Sequence, residues 1–275
     1  MRAQARGEFF FLQTPDLCEN GELFDLVTRH RRHFGEGAAK RLFRQLANGM
    51  AHMHACGCFH RDLKLENLVL TRSWDLKIMD YGTAKISDST MHETITQEGR
   101  LRRATETKQV GTMIIRPPEM LGLRRCDSWS HDPGAFDVWS CGCILFFMLA
   151  IHKLCERDPR CDCTKHKYGQ DGCPGYKIFE IIASPTPNPA FPYLANLLDN
   201  AADDNDTNGV PKHTKFWQEF ACLGLSAGLK DLLNQMLNVE PARRITMAGV
   251  LKHPWLQAED GISDDDFRAD MESRL

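Results

Sequence analysis

A long apolar segment in the middle of the chain most constrains its fold. From Asp137 to Ile151 the sequence predicts a helix that is apolar on nearly all sides, and its longest unbroken apolar run, Cys143 to Ile151, has nine residues. A helix that crosses a bilayer needs about 20 such residues. A helix without a polar face must therefore be enclosed by other parts of the protein. We expect a large domain built around this helix, and no membrane partner.

Length and composition are sufficient for such a core. The chain has 275 residues, of which 42% are hydrophobic and 26% charged, as in ordinary globular proteins. Its 34 Lys and Arg residues are balanced by 37 Asp and Glu residues, so no overall positive field indicates a nucleic-acid partner. The apolar stretch 9–12 is too short for a secretory signal. We expect an intracellular, cytoplasmic protein with cysteines as thiols.

The remaining periodicity indicates helices and a few short strands. From Ala39 to Met53 apolar residues recur at steps of three and four, which predicts an amphipathic helix that ends near Gly57. Leu68 to Leu70 and Leu76 to Met79 predict a small hairpin, and 9–14 predicts a short aromatic strand. A second amphipathic helix is predicted by Leu229, Leu232, Leu233, Met236 and Leu237.

The most specific motif lies between the first amphipathic helix and the hairpin. It reads His60-Arg61-Asp62-Leu63-Lys64-Leu65-Glu66-Asn67. Thirteen residues after Asn67, at the end of the second short strand, comes Asp80-Tyr81-Gly82. In type, order and spacing these motifs resemble the catalytic loop and the Asp-Phe-Gly motif of protein kinases, with Tyr in place of Phe. We call residues 60–67 the catalytic loop.

Three later segments extend this resemblance through the chain. Gly111-Thr112 and Pro117-Pro118-Glu119 resemble the end of a kinase activation segment, and Asp137 to Gly142 resembles the start of the central helix of the large lobe. Pro241 to Thr246 and His253 to Leu256 resemble the last helices of calcium/calmodulin-dependent-type kinases. The resemblance covers roughly residues 9–256. It implies a serine/threonine protein kinase, which transfers the γ-phosphoryl group of ATP to hydroxyls of proteins.

The implied fold is α+β: a protein kinase-like fold, mainly the helical large lobe with a truncated small lobe. Residues 1–18 would be a remnant of the small lobe and hinge, and 19–256 the large lobe with inserts at 155–173 and 199–209. Residues 257–275 would be a loosely attached acidic tail. A glycine-rich loop and an ATP-binding lysine do not occur before the predicted hinge. The chain could thus be a fragment of a kinase, a core that another chain completes, or a catalytically inactive kinase-like binding or scaffold protein.

The resemblance assigns chemistry to five residues. Asp62 would accept the proton of the attacking hydroxyl, and Lys64 would offset charge on the transferring phosphoryl group. Asn67 and Asp80 would hold Mg²⁺, which prefers oxygen ligands. Thr112 would hydrogen-bond Asp62 and Lys64. Both Lys64 and Thr112 favour Ser or Thr over Tyr as the acceptor.

Three acidic residues and one cysteine would bind the two substrates. By resemblance, the hinge residues Asp16 and Cys18 would meet the adenine of ATP, and Glu22 would approach its ribose. Glu22 and Glu66 also match acidic residues that receive arginines upstream of the acceptor in some kinases. This predicts a protein substrate with Arg at minus three, and the alternative is that both carboxylates are merely solvated.

Other residues would have structural roles. Asp137 would accept hydrogen bonds from backbone donors of the catalytic loop, and His60 would pack beneath Tyr81. Glu119 would form an ion pair with Arg244 across the large lobe.

Arg61 would read phosphorylation of the activation segment. Thr105 and Thr107 are the nearest hydroxyls to the usual acceptor position, so an upstream kinase is a possible partner.

A cysteine-rich insert is a candidate zinc site. Cys161, Cys163, His166 and Cys173 provide enough soft ligands for one tetrahedral Zn²⁺. Their spacing matches no standard zinc module, and unpaired surface thiols are the alternative.

Overall fold

The structure is a computed structural model, and it describes residues 17–28, 33–86, 117, 119, 132–156, 223–238 and 240–275. Within these ranges the helices are α1 (Leu23–Thr28), α2 (Glu36–Ala55), α3 (Pro133–Glu156), α4 (Ala227–Met236), α5 (Met247–Lys252), α6 (Pro254–Gln257) and α7 (Asp264–Glu272). The strands are β1 (Cys58–Phe59), β2 (Leu68–Leu70), β3 (Leu76–Ile78) and β4 (Lys85–Ile86). Short 3₁₀ helices cover Leu65–Asn67, Tyr81–Thr83 and Pro241–Arg243. The mixed but mainly helical content agrees with the predicted class.

Helix α3 is the centre of the core. Its apolar stretch Pro133–Ala150 is long enough to cross a bilayer, but 89% of that stretch is buried inside the protein. The helix packs against α1, α2 and α4, so its apolar surface is used within the fold, as the sequence predicts. It begins one turn before Asp137 because Pro133 occupies the first helical position, where proline is favoured. The Asp132 carboxylate caps this end by accepting from the Gly134 amide at 2.8 Å.

Helix α2 is the amphipathic helix that the sequence predicts. Its buried face includes Leu42, Phe43, Leu46 and Met50, all with 0% exposure, and it packs against α3 and α5. Each buried Leu, Phe or Met side chain contributes about 1.5–3 kcal/mol to folding. The helix stops at Ala55, and Gly57 then adopts a left-handed φ of 69°. This turn directs the chain into β1 and the catalytic loop.

Two strand pairs hold the catalytic loop at both ends. Strands β2 and β3 form the predicted antiparallel hairpin, with Leu68 opposite Ile78 and Leu70 opposite Leu76. Strand β1 pairs with β4, which follows the Asp80-Tyr81-Gly82 motif. Because β1 precedes the loop and β2 follows it, the two pairings bring residues 60–67 beside residues 79–83.

The acidic tail differs from the prediction. Instead of a loose segment, residues 264–272 form α7, in which Phe267 is 6% exposed and Met271 is fully buried. The Ser263 hydroxyl caps the helix by accepting from the Asp266 amide at 3.1 Å. The prediction of a loose tail was wrong because Phe267 and Met271, four residues apart, give one side of an otherwise acidic helix an apolar face.

Several expectations lie outside the described residues. They include the predicted strand at 9–14, residues 1–16 of the small-lobe and hinge remnant, residues 157–173 of the first insert and all of the second, 199–209. Residues 155 and 156 of the first insert are the end of α3.

Candidate active site

The carboxylate of Asp137 anchors the start of the catalytic loop. Asp137 has 0% exposure, and it accepts hydrogen bonds from the backbone amides of His60 and Arg61, each at 2.8 Å. Arg61 has a positive φ of 65°, a conformation that costs a non-glycine residue energy and needs support from its surroundings. The two hydrogen bonds from the loop amides to Asp137 of α3 provide that support. The contact expected of Asp137 is thus present in the fold.

Asp137 has a third hydrogen-bond donor, His54, which the sequence did not predict. His54 Nε2, in the last turn of α2, lies 2.9 Å from Asp137 Oδ2. A buried carboxylate is costly unless donors replace the water that it loses, and His54 completes a set of three. The two residues are 83 positions apart, and neither local periodicity nor motif spacing signals that they meet.

His60 is a buried structural residue. Its exposure is 0%, and its Nε2 lies 3.0 Å from the carbonyl oxygen of Met79. Since a carbonyl only accepts, Nε2 carries the proton, and Nδ1 accepts from the Asp62 amide at 3.4 Å. The ring centroid is 5.4 Å from that of Tyr81. His60 therefore joins the two motifs at the place expected.

The polar residues of the loop converge on Asp62. Lys64 Nζ lies 3.3 Å from Asp62 Oδ2, and the Asn67 side-chain amide donates to the Asp62 backbone carbonyl at 2.8 Å. The side chains of Asp62 and Lys64 are 13% and 24% exposed. A carboxylate and an ammonium group thus lie together at one partly exposed position.

Asp80 is brought to the same position by the backbone. The Met79 amide donates to the Asn67 carbonyl at 2.9 Å, so the next residue, Asp80, emerges beside Asn67. Asp80 has a positive φ of 63°, is solvent-exposed, and accepts a hydrogen bond from the Gly82 amide. Thr83 completes the connection because its hydroxyl donates to the His60 carbonyl at 3.0 Å.

The oxygen donors fit a magnesium ion. The nitrogen of the Asn67 side chain is used by Asp62, which leaves its oxygen for a ligand, and Asp80 supplies a carboxylate. No group of three His, Cys, Asp or Glu residues that could hold a metal occurs in the part of the chain that the structure describes. Mg²⁺ is commonly bound through one or two carboxylates together with substrate phosphates and water. The donor set therefore suits Mg²⁺ bound with a nucleotide.

A buried ion pair joins Arg244 to Glu119. Arg244 donates to both carboxylate oxygens of Glu119, at 2.9 and 3.0 Å, and to the carbonyl oxygens of Ala135 and Asn238, at 2.7 and 3.0 Å. Its guanidinium also lies 5.0 Å from the ring centroid of Trp139. The expected Glu119–Arg244 pair is present, and it ties residue 119 to the beginning of α3.

The candidate substrate-binding residues are only partly described. Glu22 is exposed and forms an isolated antiparallel bridge with Val69 of β2, while Glu66 is half-buried in the 3₁₀ helix of the loop. Cys18 is half-buried. Asp16, Thr112, Thr105 and Thr107 lie outside the described residues, as do the four candidate zinc ligands.

Comparison with known proteins places this geometry in a family. Residues 7–256 match the family model described as protein kinase domain. CBL-interacting protein kinase 22 of Oryza sativa subsp. japonica is 30% identical over 251 residues, which cover 90% of this chain and 42% of that protein. CBL-interacting serine/threonine-protein kinase 13 of Arabidopsis thaliana is 28% identical, with 88% of this chain and 36% of that protein covered. Serine/threonine-protein kinase PRR2 of Saccharomyces cerevisiae is 27% identical, with 92% and 32% covered.

The chain spans less than half the length of these relatives. The matched region nevertheless includes both motifs and every helix from α1 to α5. The chain therefore belongs to the protein kinase domain family.

Proposed function

We propose that this chain is a serine/threonine protein kinase domain that transfers the γ-phosphoryl group of ATP to Ser or Thr hydroxyls of proteins. The observation that carries the proposal is the convergence of Asp62, Lys64 and Asn67 within one loop, with Asp80 beside them. Phosphoryl transfer requires positioning and charge neutralisation more than covalent chemistry. This cluster has the groups for both tasks.

Each of these residues has a proposed task that follows from its position. Asp62 accepts the proton of the attacking hydroxyl, and its backbone is held by Asn67 so that the carboxylate keeps its direction. Lys64, whose ammonium group lies 3.3 Å from the same carboxylate, offsets the negative charge of the phosphoryl group. Thr112 is proposed to hydrogen-bond both.

Asn67 and Asp80 are the proposed ligands of Mg²⁺, which would neutralise charge on the phosphates of bound ATP. Asp16 and Cys18 are proposed to contact the adenine and Glu22 the ribose. Support for Glu22 comes from its bridge to Val69, because β2 follows the catalytic loop directly and Glu22 therefore lies on the same side of the lobe.

The Asp62→Asn variant tests the proposed reaction. The purified chain is incubated with γ-labelled ATP, Mg²⁺ and Ser- or Tyr-containing peptides. We expect label on the Ser peptide only, and a loss of about 10²–10⁴-fold in Asp62→Asn because a general base contributes that much. Asp75→Asn, which changes an exposed aspartate in the β2–β3 turn, is the matched control. Equal labelling by wild type and Asp62→Asn would contradict the assignment. A folded chain without labelling would favour the kinase-like binding protein.

The finer proposal concerns substrate sequence. Glu22 and Glu66 carry carboxylates at the proposed peptide-binding side, and we propose that they receive an arginine three residues before the acceptor. Peptides with Arg or Ala at that position should differ in kcat/KM. The difference should shrink about tenfold in Glu66→Gln, as one charged hydrogen bond is lost. Unchanged discrimination in both Glu22→Gln and Glu66→Gln would overturn it.

Arg61, whose Nε donates to the Thr83 carbonyl at 2.8 Å, is proposed to bind phosphate on Thr105 or Thr107 of the activation segment. An upstream kinase would add that phosphate. Cys18, Cys56, Cys58, Cys141 and Cys143 are not in disulfides, which supports the cytoplasm as the proposed location. Zinc at Cys161, Cys163, His166 and Cys173 stays a prediction.

A further inference from the structure

The C-terminal segment beyond the family domain is held by cations of α2. The family match ends at residue 256, yet residues 257–275 lie along the N-terminal half of α2. Arg41 binds both carboxylate oxygens of Asp260, at 2.9 and 3.2 Å, the carboxylate of Asp264 at 2.7 Å and the Ile262 carbonyl at 2.7 Å. One guanidinium thus joins three residues of the segment to a single position of α2.

Two neighbouring side chains of α2 bind the beginning of the segment. Arg44 donates to the carbonyl oxygens of Leu256 and Ala258, at 3.0 and 2.9 Å. Lys40 donates to the Glu259 carbonyl at 3.0 Å. We call Lys40, Arg41 and Arg44 the cationic strip. Together these side chains satisfy backbone acceptors that would otherwise need water.

The segment is not joined to the lobe by backbone pairing. Among the described residues, the backbone-to-backbone hydrogen bonds of 259–275 run between residues of the segment itself. Its apolar anchors are also few: Phe267 and Met271 are buried, and Ile262 is partly buried. Arg274 adds a contact at the far end, with its guanidinium 3.9 Å from the centroid of Phe34. Hydrogen bonds and ion pairs of charged side chains, together with a few apolar contacts, therefore attach the segment to the lobe.

The acidic segment and the cationic strip are complementary in charge and in shape. Residues 257–275 contain seven Asp and Glu residues against two arginines, and they face three cations of one helix. The close approach depends on Gly37, because a Cβ at that position would lie 2.5 Å from the Asp260 carbonyl oxygen. Only glycine lets the acidic segment lie this close to the backbone of α2.

We propose that the cationic strip is a docking surface whose occupant is the chain's own acidic segment, and that the pair is a latch which opens without unfolding the lobe. Segments held by few buried contacts open at a lower free energy than the core that carries them. The latch contacts the N-terminal half of α2. His54, whose contact with Asp137 supports the catalytic loop, lies at the other end of α2. At 1.5 Å per residue, Arg41 and His54 are about 20 Å apart. The proposal does not depend on phosphoryl transfer.

Hydrogen exchange of the full chain, followed by mass spectrometry, tests the latch. Asp260→Asn removes the carboxylate that Arg41 grips, and Gly37→Ala displaces the segment without changing any charge. In both variants we expect amides of 264–272 to exchange about tenfold faster or more. Amides of α3 and of the catalytic loop should keep their wild-type rates. In the wild type, raising the salt concentration should speed exchange in the latch alone.

Asp265→Asn is the matched control, since it removes the same charge from the exposed side of the same segment. It should change the exchange of 264–272 by no more than about threefold, as expected for a surface charge near a helix end. The proposal is overturned if Asp260→Asn and Asp265→Asn behave alike. It is also overturned if α7 exchanges only together with α3, because the segment would then be an inseparable part of the core.

Discussion

Single charged residues, each fully enclosed, connect distant parts of this chain. Asp137 gathers donors from the end of α2 and from the catalytic loop, and Arg244 gathers acceptors from residues 119, 135 and 238. A buried charge needs such partners because water is absent. Asp137 and Arg244 therefore each hold several segments in place. Removing either side chain should destabilise segments that are distant from it in the sequence.

Arg244→Lys tests this dependence at the scale of one residue. Lysine keeps the charge but cannot make the two parallel bonds to Glu119 or span to Ala135 and Asn238. We expect the unfolding free energy to fall by about 1.5–3 kcal/mol, the contribution of a hydrogen bond that involves a charged group. Urea unfolding followed by circular dichroism measures it. Arg243→Lys, at the exposed neighbouring position, should stay within about 0.5 kcal/mol; equal effects would contradict the role of Arg244.

At the scale of elements, α2 has a different task at each end. Its C-terminal turn presents His54 to Asp137, and its N-terminal half presents the cationic strip to the acidic segment. Between them the helix packs its apolar face on α3 and α5. One amphipathic helix therefore supports the catalytic loop and carries the latch on its polar face.

The latch should weaken in acid. The hydrogen bonds from Arg41 hold the pKa of Asp260 below its ordinary value. A carboxyl group whose pKa is lowered by docking stabilises the docked state above its ordinary pKa, and this stabilisation is lost as the pH falls through the lowered value. Protection factors of 264–272, corrected for intrinsic exchange, should thus fall as the pH decreases from 5 to 3. Asp260→Asn should show less of this fall, and an identical pH profile would contradict the explanation.

At the scale of the whole molecule, two buried thiols of α3 make it possible to measure the opening of the core. These residues, Cys141 and Cys143, have 0% exposure, and burial raises the pKa of both. Buried, protonated thiols do not react with alkylating reagents, because the thiolate is the nucleophile. Access to them requires the helices around α3 to separate.

Thiol labelling follows this global opening. With iodoacetamide at neutral pH we expect rapid modification of the exposed Cys56. Modification of Cys141 and Cys143 should occur only at the rate of global unfolding, and it should accelerate in Arg244→Lys but not in Asp260→Asn. Mass spectrometry of proteolytic peptides measures each site. Native labelling of Cys141 or Cys143 as fast as Cys56 would show that the core is open.

The local elements and the position of the catalytic loop could be predicted from the sequence alone. The period of three and four residues in α2, the uninterrupted apolar stretch of α3 and the two short strands all follow from local pattern. The loop His60–Asn67 and the Asp80 motif are also local, and their meeting follows from the hairpin between them. The resemblance to protein kinases also predicted two longer-range contacts, between Asp137 and the catalytic loop and between Glu119 and Arg244.

The tertiary structure decided the contacts that join residues far apart in the chain. His54 meets Asp137 across 83 positions, and Arg41 meets Asp260 across 219. Such pairs depend on how whole helices pack, which one residue's neighbours in sequence do not encode. The acidic segment docks as a helix because α2 presents Gly37, Lys40, Arg41 and Arg44 on one face. That match exists only once both surfaces are folded.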